Sequence, residues 1–277
     1  MKELEEKIVK FAEDRDWLQF VNPRKFKEMY NYIQFEKLKQ NSNLCHLFTL
    51  KPFNFRSGFV SDDEIKEQYG KISNIFKCDM KFIKPVQTHT NIVKCVDENN
   101  MNEKFENVDG LITNMHGIAL VISLADCQGI LLYDKNRQVI GNIHSGWKGT
   151  LSRIIENAIN LMVSNYECNP KDIEAYITPS ILKCCFEVDE DLKERFEKEF
   201  TDININNYIV KGDFKDNKQK YFIDTTLINR DVLINMGLKE ENITISDICT
   251  KCHGDIIHSH RRDGDNSGRN ISIIMMR

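Results

Sequence analysis

The stretch of sequence that decides the fold covers residues 118–149 and reads IALVISLADCQGILLYDKNRQVIGNIHSGWKG. Its first part, residues 118–125, is a continuous apolar run of the kind that forms a strand buried on both faces. Two further apolar runs, residues 130–133 and 139–143, are separated by the turn-forming sequence Asp-Lys-Asn-Arg. If these two runs form a β-hairpin, its open end brings the residues on either side of it close together.

Strand and helix patterns interleave on both sides of this stretch. Short apolar runs at 82–86 and 92–96 precede it, and an amphipathic helix is predicted to follow it over residues 150–163. Several neighbouring strands are predicted hairpins, so we expect a mixed α/β domain over residues 44–277 rather than a purely parallel sheet. The later predicted elements are strands at 174–178, 243–248 and 271–275 and helices at 189–200 and 224–237.

Residues 1–43 predict a separate N-terminal helical extension. Leu4 and Ile8 fall on one helix face, Pro23 interrupts the pattern, and a second amphipathic run covers residues 26–38. We expect this helical pair to pack on the main domain. The segment alternates in charge and lacks the apolar core of a signal peptide.

Composition excludes several classes of protein. Of 277 residues, 41% are hydrophobic, and only 13 are Gly and 5 Pro, which excludes collagen-like and low-complexity chains. The net charge of −4 does not indicate a nucleic-acid partner, and Asp126 and Gln128 interrupt the longest apolar stretch, so no membrane span is predicted. Nine cysteines without a secretory signal indicate thiols or metal ligands in a reducing compartment. We therefore predict a cytoplasmic monomer or small homo-oligomer.

Three metal-capable side chains lie beside the predicted strands. Cys127 comes just before the expected hairpin and His144 just after it, so the hairpin would place them side by side. His89 lies in a loop, and its spacing alone does not decide whether it joins them. Two imidazoles and a thiolate suit zinc and leave its fourth position open, as in catalytic sites, although copper also accepts these ligands.

Cationic and thiol side chains elsewhere suggest further site residues. The C-terminal arginines are the strongest candidates for phosphate binding, because the guanidinium fork fits a phosphate group. Cys185 is a candidate pocket residue, although adjacent strand residues Cys184 and Cys185 should face opposite sides. Cys249-x-x-Cys252 forms half of a structural zinc motif, and no second CxxC is present. The predicted phosphate- or substrate-binding residues are Lys148, Arg261, Arg262, Arg269 and Cys185.

Eight short blocks follow one another along the chain. They are Gln87-Thr88-His89, Ala125-Asp126-Cys127, His144-Ser145-Gly146-Trp147-Lys148-Gly149, Pro179-Ser180-Ile181, Cys184-Cys185-Phe186-Glu187-Val188, Cys249-Thr250-Lys251-Cys252, Ser259-His260-Arg261-Arg262-Asp263-Gly264 and Ser267-Gly268-Arg269. Taken in order, these blocks resemble the signature of the bacterial YfiH, or laccase-domain, family. Each block alone is weakly specific, but their order over about residues 45–277 is highly specific. The blocks differ from the usual family pattern at Thr90, Lys148 and His260.

The resemblance implies a fold and an activity. The family fold is a layered α/β/β/α arrangement similar to the deamidase domain of cytotoxic necrotizing factor. Members look like purine nucleoside phosphorylases acting on adenosine, inosine and S-methyl-5′-thioadenosine, with adenosine deaminase activity alongside. The family metal is zinc, held here by His89, Cys127 and His144.

This resemblance suggests a mechanism and leaves alternatives open. Phosphate would attack the anomeric carbon of a purine nucleoside, with Asp126, Cys127 and His144 as catalytic residues and Asp126 either moving a proton or orienting a ligand. One alternative is a copper-dependent polyphenol oxidase, although seven scattered histidines supply few copper ligands. A second is a hydrolase with Cys127 or Cys185 as nucleophile and His144 as base. A third is a non-catalytic regulator or nucleotide-binding module that retains the fold.

Overall fold

The computed structural model describes residues 18–20 and 32–277. Its fifteen strands form two six-stranded sheets and one small three-stranded sheet. The strands are β1 Leu18–Phe20, β2 Tyr32–Phe35, β3 Leu44–Thr49, β4 Lys81–Ile83, β5 Val93–Cys95, β6 Gly110–Thr113, β7 Ile118–Leu124, β8 Gln128–Asp134, β9 Val139–Ser145, β10 Ile173–Ile177, β11 Glu187–Asp189, β12 Ile209–Lys215, β13 Lys218–Ile223, β14 Ile243–Ile245 and β15 Asn270–Met276.

Helices connect and cover these strands. The α-helices are α1 Glu36–Lys39, α2 Asp62–Phe76, α3 Trp147–Leu151, α4 Ile154–Tyr166, α5 Glu190–Glu199, α6 Thr225–Asn235 and α7 His260–Asp263. Short 3-10 helices occur at Pro170–Asp172, Ile205–Tyr208, Glu240–Asn242 and Gly264–Asn266. Ser61 caps the start of α2 by accepting the backbone N–H of Glu64, whose carboxylate in turn accepts the N–H of Ser61.

The two large sheets mix parallel and antiparallel strands. In the first, the order is β1-β2-β3-β15-β7-β4, and in the second it is β14-β10-β8-β9-β6-β5. Parallel pairs occur at β4–β7, β5–β6 and β10–β14, whereas the central pairs are antiparallel. The predicted mixed α/β class is therefore confirmed.

The sheets stack face to face between two helical layers. Alternate residues of β8 show this, since Leu131 packs in the core between the sheets whereas Ile130 packs against helices α4 and α6. In β7, Leu120 faces the same inner core, and Val121 packs on the outer side with Ile72 of α2. The α/β/β/α layering implied by the family resemblance is thus present.

The predicted N-terminal helical extension lies mostly outside the described residues. Where residues 1–43 are described, the helical prediction is wrong at Leu18–Phe20 and Tyr32–Phe35, which are strands, and right at Glu36–Lys39. The strand β2 pairs antiparallel with β3, and the backbone N–H of Phe35 donates to the ring of His46 at 2.9 Å. Pairing with the sheet therefore overrides the helical spacing of the apolar residues in this segment.

Candidate metal centre

The hairpin formed by β8 and β9 places the first two candidate ligands together, as predicted. The strands pair antiparallel with Gly129 opposite His144 and Gln128 opposite Ser145. Cys127 immediately precedes β8, so its sulfur lies within 4.8 Å of the ligand nitrogen of His144. The two side chains come from the open end of one hairpin.

Asp126 shapes the turn that presents Cys127. Its backbone is left-handed, with φ of 84°, which costs a non-glycine residue of the order of 1 kcal/mol or more. One carboxylate oxygen accepts the hydroxyl of Thr250 at 2.6 Å, and the other accepts the backbone N–H of Arg261 at 2.5 Å. These two hydrogen bonds hold the segments around Thr250 and Arg261 against the turn that precedes Cys127.

His89 reaches the same place from the loop that follows β4. The side chain of Gln87 exchanges two hydrogen bonds with the backbone of Ser123, at 2.8 and 2.9 Å, and so docks this loop on β7. His89 itself has a left-handed backbone with φ of 62°. Its Nε2 lies 3.9 Å from the sulfur of Cys127, and its ring centroid lies 4.9 Å from that of His144.

Asp109 holds both histidines, and sequence reasoning missed it. This fully buried carboxylate accepts Nδ1–H of His144 at 2.7 Å and the backbone N–H groups of His89 and Thr90 at 3.1 and 2.7 Å. The pair Asp109-Gly110 has the composition of a turn, but Gly110 begins β6, where a Cβ would lie 2.7 Å from Ile143. A carboxylate that fixes the tautomer of a histidine is a typical neighbour of a metal ligand.

The charges in this centre are strongly coupled. Burial opposes ionisation of Cys127, but the charge of His144 and the hydrogen bonds from both histidines outweigh it and lower the pKa of the thiol to about 6. Burial likewise opposes the charge on His144, yet Cys127 and Asp109 together raise its pKa to about 9. At neutral pH, Cys127 and His144 therefore form a thiolate–imidazolium pair.

The donor set and its surroundings fit a metal ion. The ligand atoms of His89, Cys127 and His144 all lie within 4.8 Å of one another. A tetrahedral zinc ion separates its nitrogen and sulfur ligands by about 3.6 Å, given bonds of about 2.05 and 2.3 Å. Gly146 leaves the necessary space, because a Cβ there would lie 2.8 Å from the sulfur of Cys127 and 3.1 Å from the ring of His89. A metal ion would displace the proton on Nε2 of His144, while Nδ1–H stays hydrogen-bonded to Asp109.

The centre opens into a cavity of about 870 Å³. Its wall includes the cationic side chains of Lys84, Arg261 and Arg269 and the apolar side chains of Ile181 and Phe186. Arg261 is fixed by hydrogen bonds from its guanidinium to the carbonyls of residues 185 and 187, at 3.2 and 3.0 Å. The cavity can therefore accept an anion next to an apolar group.

The structure brings some of the predicted binding residues to the cavity and leaves others away from it. Arg261 and Arg269 line it, together with Asp126, Cys127 and both histidines. Arg262 is instead paired with Asp263 at 2.7 Å, and the ammonium of Lys148 lies 5.6 Å from the ring of Trp147. Cys185 directs its sulfur at Cys252, 3.5 Å away. These three residues are not part of the cavity wall.

The fold and this centre together define a mixed α/β domain with a potential metal site at the mouth of a hairpin. The chain belongs to the family described as multi-copper polyphenol oxidoreductase laccase, whose model matches residues 53–277. The family predicted from the sequence blocks is therefore confirmed.

Relatives with similar sequences are named either as purine nucleoside phosphorylases or as an adenosine deaminase. A purine nucleoside phosphorylase of Bacteroides thetaiotaomicron is 32% identical over 88% of this chain and 96% of its own length. Purine nucleoside phosphorylase YlmD of Bacillus subtilis is 29% identical over 78% of each chain. Adenosine deaminase RL5, from an unknown prokaryotic organism, is 30% identical over 77% of this chain and 83% of its own.

Two solved structures share the fold. The hypothetical protein YfiH of Bacillus licheniformis superposes with a TM-score of 0.81 at 23% identity, and YlmD from Geobacillus stearothermophilus with 0.80 at 21%. Each comparison covers 95% of this chain and 100% of the other. Within the described part of this chain, no helix combines the length and the apolar character needed to cross a bilayer.

Proposed function

We propose that this protein is a zinc-dependent purine nucleoside phosphorylase that acts on adenosine, inosine or S-methyl-5′-thioadenosine. The observation that carries the proposal is the His89–Cys127–His144 centre, which opens into a cavity with a cationic wall. The names of the relatives in Bacteroides thetaiotaomicron and Bacillus subtilis support the choice of reaction. The products would be the free purine and the pentose 1-phosphate.

Zinc is the metal we assign to this centre. Two imidazole nitrogens and one thiolate are borderline-soft ligands, and three protein ligands leave one position for substrate. Asp109 supports the assignment because it fixes the His144 tautomer that leaves Nε2 to face the metal. When bound, the metal supplies a Lewis acid that polarises an oxygen of the substrate.

The chain's own residues bind and orient the two substrates. Arg261 and Arg269, with Lys84 beside them, form the phosphate side of the cavity. A phosphate oxygen attacks the anomeric carbon, the glycosidic bond breaks, and its electron pair passes to the purine, which takes up a proton. Phe186 and Ile181 supply apolar surface against which the purine base would pack.

The cavity also suits the size of the substrates. Its volume of about 870 Å³ falls in the range of roughly 300–1,000 Å³ for small-molecule sites, which is enough for a nucleoside and a phosphate ion. We assign deamination of adenosine to the same cavity as a second reaction, in which water replaces the 6-amino group and ammonia leaves. The relative named adenosine deaminase RL5 supports this assignment.

Product analysis with and without phosphate tests the proposal. Zinc-loaded protein should convert inosine to hypoxanthine and ribose 1-phosphate only when phosphate is present. Arg269→Gln should raise the KM for phosphate at least about 10-fold, because it removes a charged partner of the anion, with little effect on the KM for inosine. Arg137→Gln is the matched control, since Arg137 pairs with Glu167 and does not line the cavity. Base release that is independent of phosphate would contradict the proposal.

One observation favours a second candidate function. The thiolate–imidazolium pair of Cys127 and His144 is the arrangement of a cysteine nucleophile and its base. If the protein is a Cys/His hydrolase, alkylation of Cys127 should abolish activity in metal-free protein, and zinc should inhibit rather than activate it. Activation by zinc would exclude this candidate.

Oxidation of phenols by copper is not favoured by the geometry. Among the described histidines, His89 and His144 are the two that enter a group able to hold a metal, and a multicopper site needs more imidazole ligands than these. We place the protein in the cytoplasm because none of its nine cysteines, all of which lie in the described residues, forms a disulfide. A monomer or small homo-oligomer, without nucleic-acid or membrane partners, stays a prediction.

A further inference from the structure

A second group of sulfur ligands lies away from the cavity wall. Residues 183–185 form a turn, so the two adjacent thiols do not face opposite sides, as the prediction for a strand required. The turn is closed by a hydrogen bond from the backbone N–H of Cys185 to the carbonyl of Leu182 at 2.9 Å. The four-cysteine cluster consists of Cys184, Cys185, Cys249 and Cys252.

The sulfur positions match a tetrahedral thiolate site. All four sulfurs lie within 4.8 Å of one another, and Cys252 lies 3.8 Å from Cys184 and 3.5 Å from Cys185. A zinc ion with Zn–S bonds of about 2.3 Å holds its sulfurs about 3.8 Å apart. The missing half of the Cys249-x-x-Cys252 motif is therefore the Cys184–Cys185 pair, 64 or more residues earlier in the chain.

The backbone around the four-cysteine cluster fixes the position of the cysteine segments. The carbonyl of Cys249 accepts the backbone N–H of His253 at 3.0 Å, which closes the turn on which Cys252 lies. The two segments are also joined independently of the sulfurs, because Ser180 and Cys249 form a β-bridge. Cys184 and Cys252 are exposed, which gives a metal ion a path into the site.

We propose that the four-cysteine cluster binds a structural zinc ion, separate from the His89–Cys127–His144 centre. Four thiolates fill a tetrahedral zinc ion and leave no position for substrate, so this ion would stabilise the fold rather than react. It would hold the turn whose carbonyl at Cys185 accepts a hydrogen bond from Arg261, and the segment in which Thr250 donates to Asp126. The second ion would thus fix part of the cavity wall.

Metal counting on the full chain tests this proposal. Protein purified with reductant and reconstituted with zinc should hold two equivalents by inductively coupled plasma mass spectrometry. The double variant Cys184→Ser/Cys252→Ser should hold one, and His144→Ala should also hold one. Cys78→Ser, which removes a thiol outside both groups, should hold two. The wild-type count needs no variant, so a variant that fails to fold does not remove the test.

Cobalt spectra identify the ligands of the second ion. Cobalt in both sites of the wild type would carry five thiolate bonds, four from the four-cysteine cluster and one from Cys127. The double variant should therefore lose most of the sulfur-to-cobalt charge-transfer absorption, whereas Cys78→Ser should keep it. A zinc content that is the same in the wild type and in the double variant, or a disulfide to Cys252 that persists in reductant, would overturn the proposal. Bound iron in place of zinc would overturn the zinc assignment.

Discussion

Replacement of Asp109 by Asn tests whether this carboxylate organises the metal centre. The carboxylate accepts hydrogen bonds from the backbone of Thr88, His89 and Thr90, from the Thr90 hydroxyl and from the His144 ring. An amide keeps one oxygen and turns the other acceptor into a donor, so at least one buried N–H loses its partner, which costs about 1–3 kcal/mol. The orientation of His144 also loses its support, and we expect zinc affinity to fall about 10–100-fold.

Competition with a chelator, read together with urea unfolding, measures both effects. Asp134→Asn is the matched control, because Asp134 is also fully buried and its Oδ1 accepts the backbone N–H groups of Asn136 and Arg137, far along the hairpin from the site. The control should keep the zinc affinity of the wild type. If Asp109→Asn binds zinc within about twofold of the control, the role assigned to Asp109 is refuted.

Three further predictions concern Cys127, Gly146 and His46. In metal-free protein, the rate of Cys127 alkylation by iodoacetamide should rise with pH, with a midpoint near pH 6, because His144 favours the thiolate. His144→Ala should move this midpoint up towards the ordinary cysteine value of about 8.5. An unchanged midpoint in the variant would contradict the role of His144. Gly146→Ala should weaken zinc binding at least about 10-fold, because the added Cβ crowds the Cys127 sulfur. Gly70→Ala is the control and should keep the wild-type affinity, since a Cβ at Gly70 meets no atom within 4 Å. Equal zinc affinities of the two variants would refute the role of Gly146. Burial lowers the pKa of His46 to about 3, so below the unfolded value of about 6.5 the unfolded state binds a proton that the folded state does not. As the pH falls from 6.5 to 3, this group should lower the free energy of unfolding by up to about 1.4 kcal/mol per pH unit. Urea unfolding at pH 7.5 and 5 should show a smaller pH dependence for His46→Gln than for the wild type. An equal pH dependence of the two proteins would contradict the assignment.

Local patterns were sufficient to predict the central strands. The apolar run at 118–125 and the turn at 134–137 correspond to β7 and to the β8–β9 connection within one or two residues. The convergence of Cys127 and His144 followed from that hairpin alone. The position of His89 beside these two residues could not be predicted, because it depends on contacts with Asp109 and on the docking of Gln87 against Ser123.

The features that sequence reasoning missed depend on contacts between distant parts of the chain. Asp109-Gly110 has the composition of a turn, and nothing nearby shows that its carboxylate binds residues about 20 and 35 positions away. The predicted helix at 150–163 is two helices, because Arg153 adopts a left-handed backbone with φ of 56° and is held by Glu156, Glu199 and Asp202. These restraints come from other elements, so periodicity alone does not reveal them.

The four-cysteine cluster could not be predicted for a similar reason. In a strand, Cys184 and Cys185 would face opposite sides, but the turn at 183–185 directs both sulfurs towards Cys252. A CxxC motif without a second CxxC did not predict this cluster. A search for adjacent cysteines in turns would have been the useful signal.

Metal content and reaction products, measured on the same three preparations, test the proposed reaction most directly. Protein loaded with zinc, protein stripped of metal and the His144→Ala variant are each given inosine, with and without phosphate, and the base and sugar products are separated by chromatography. We predict hypoxanthine and ribose 1-phosphate in equal amounts from the zinc-loaded protein with phosphate, and neither product from the other two preparations. Equal turnover by His144→Ala, or hypoxanthine accompanied by free ribose, would contradict it.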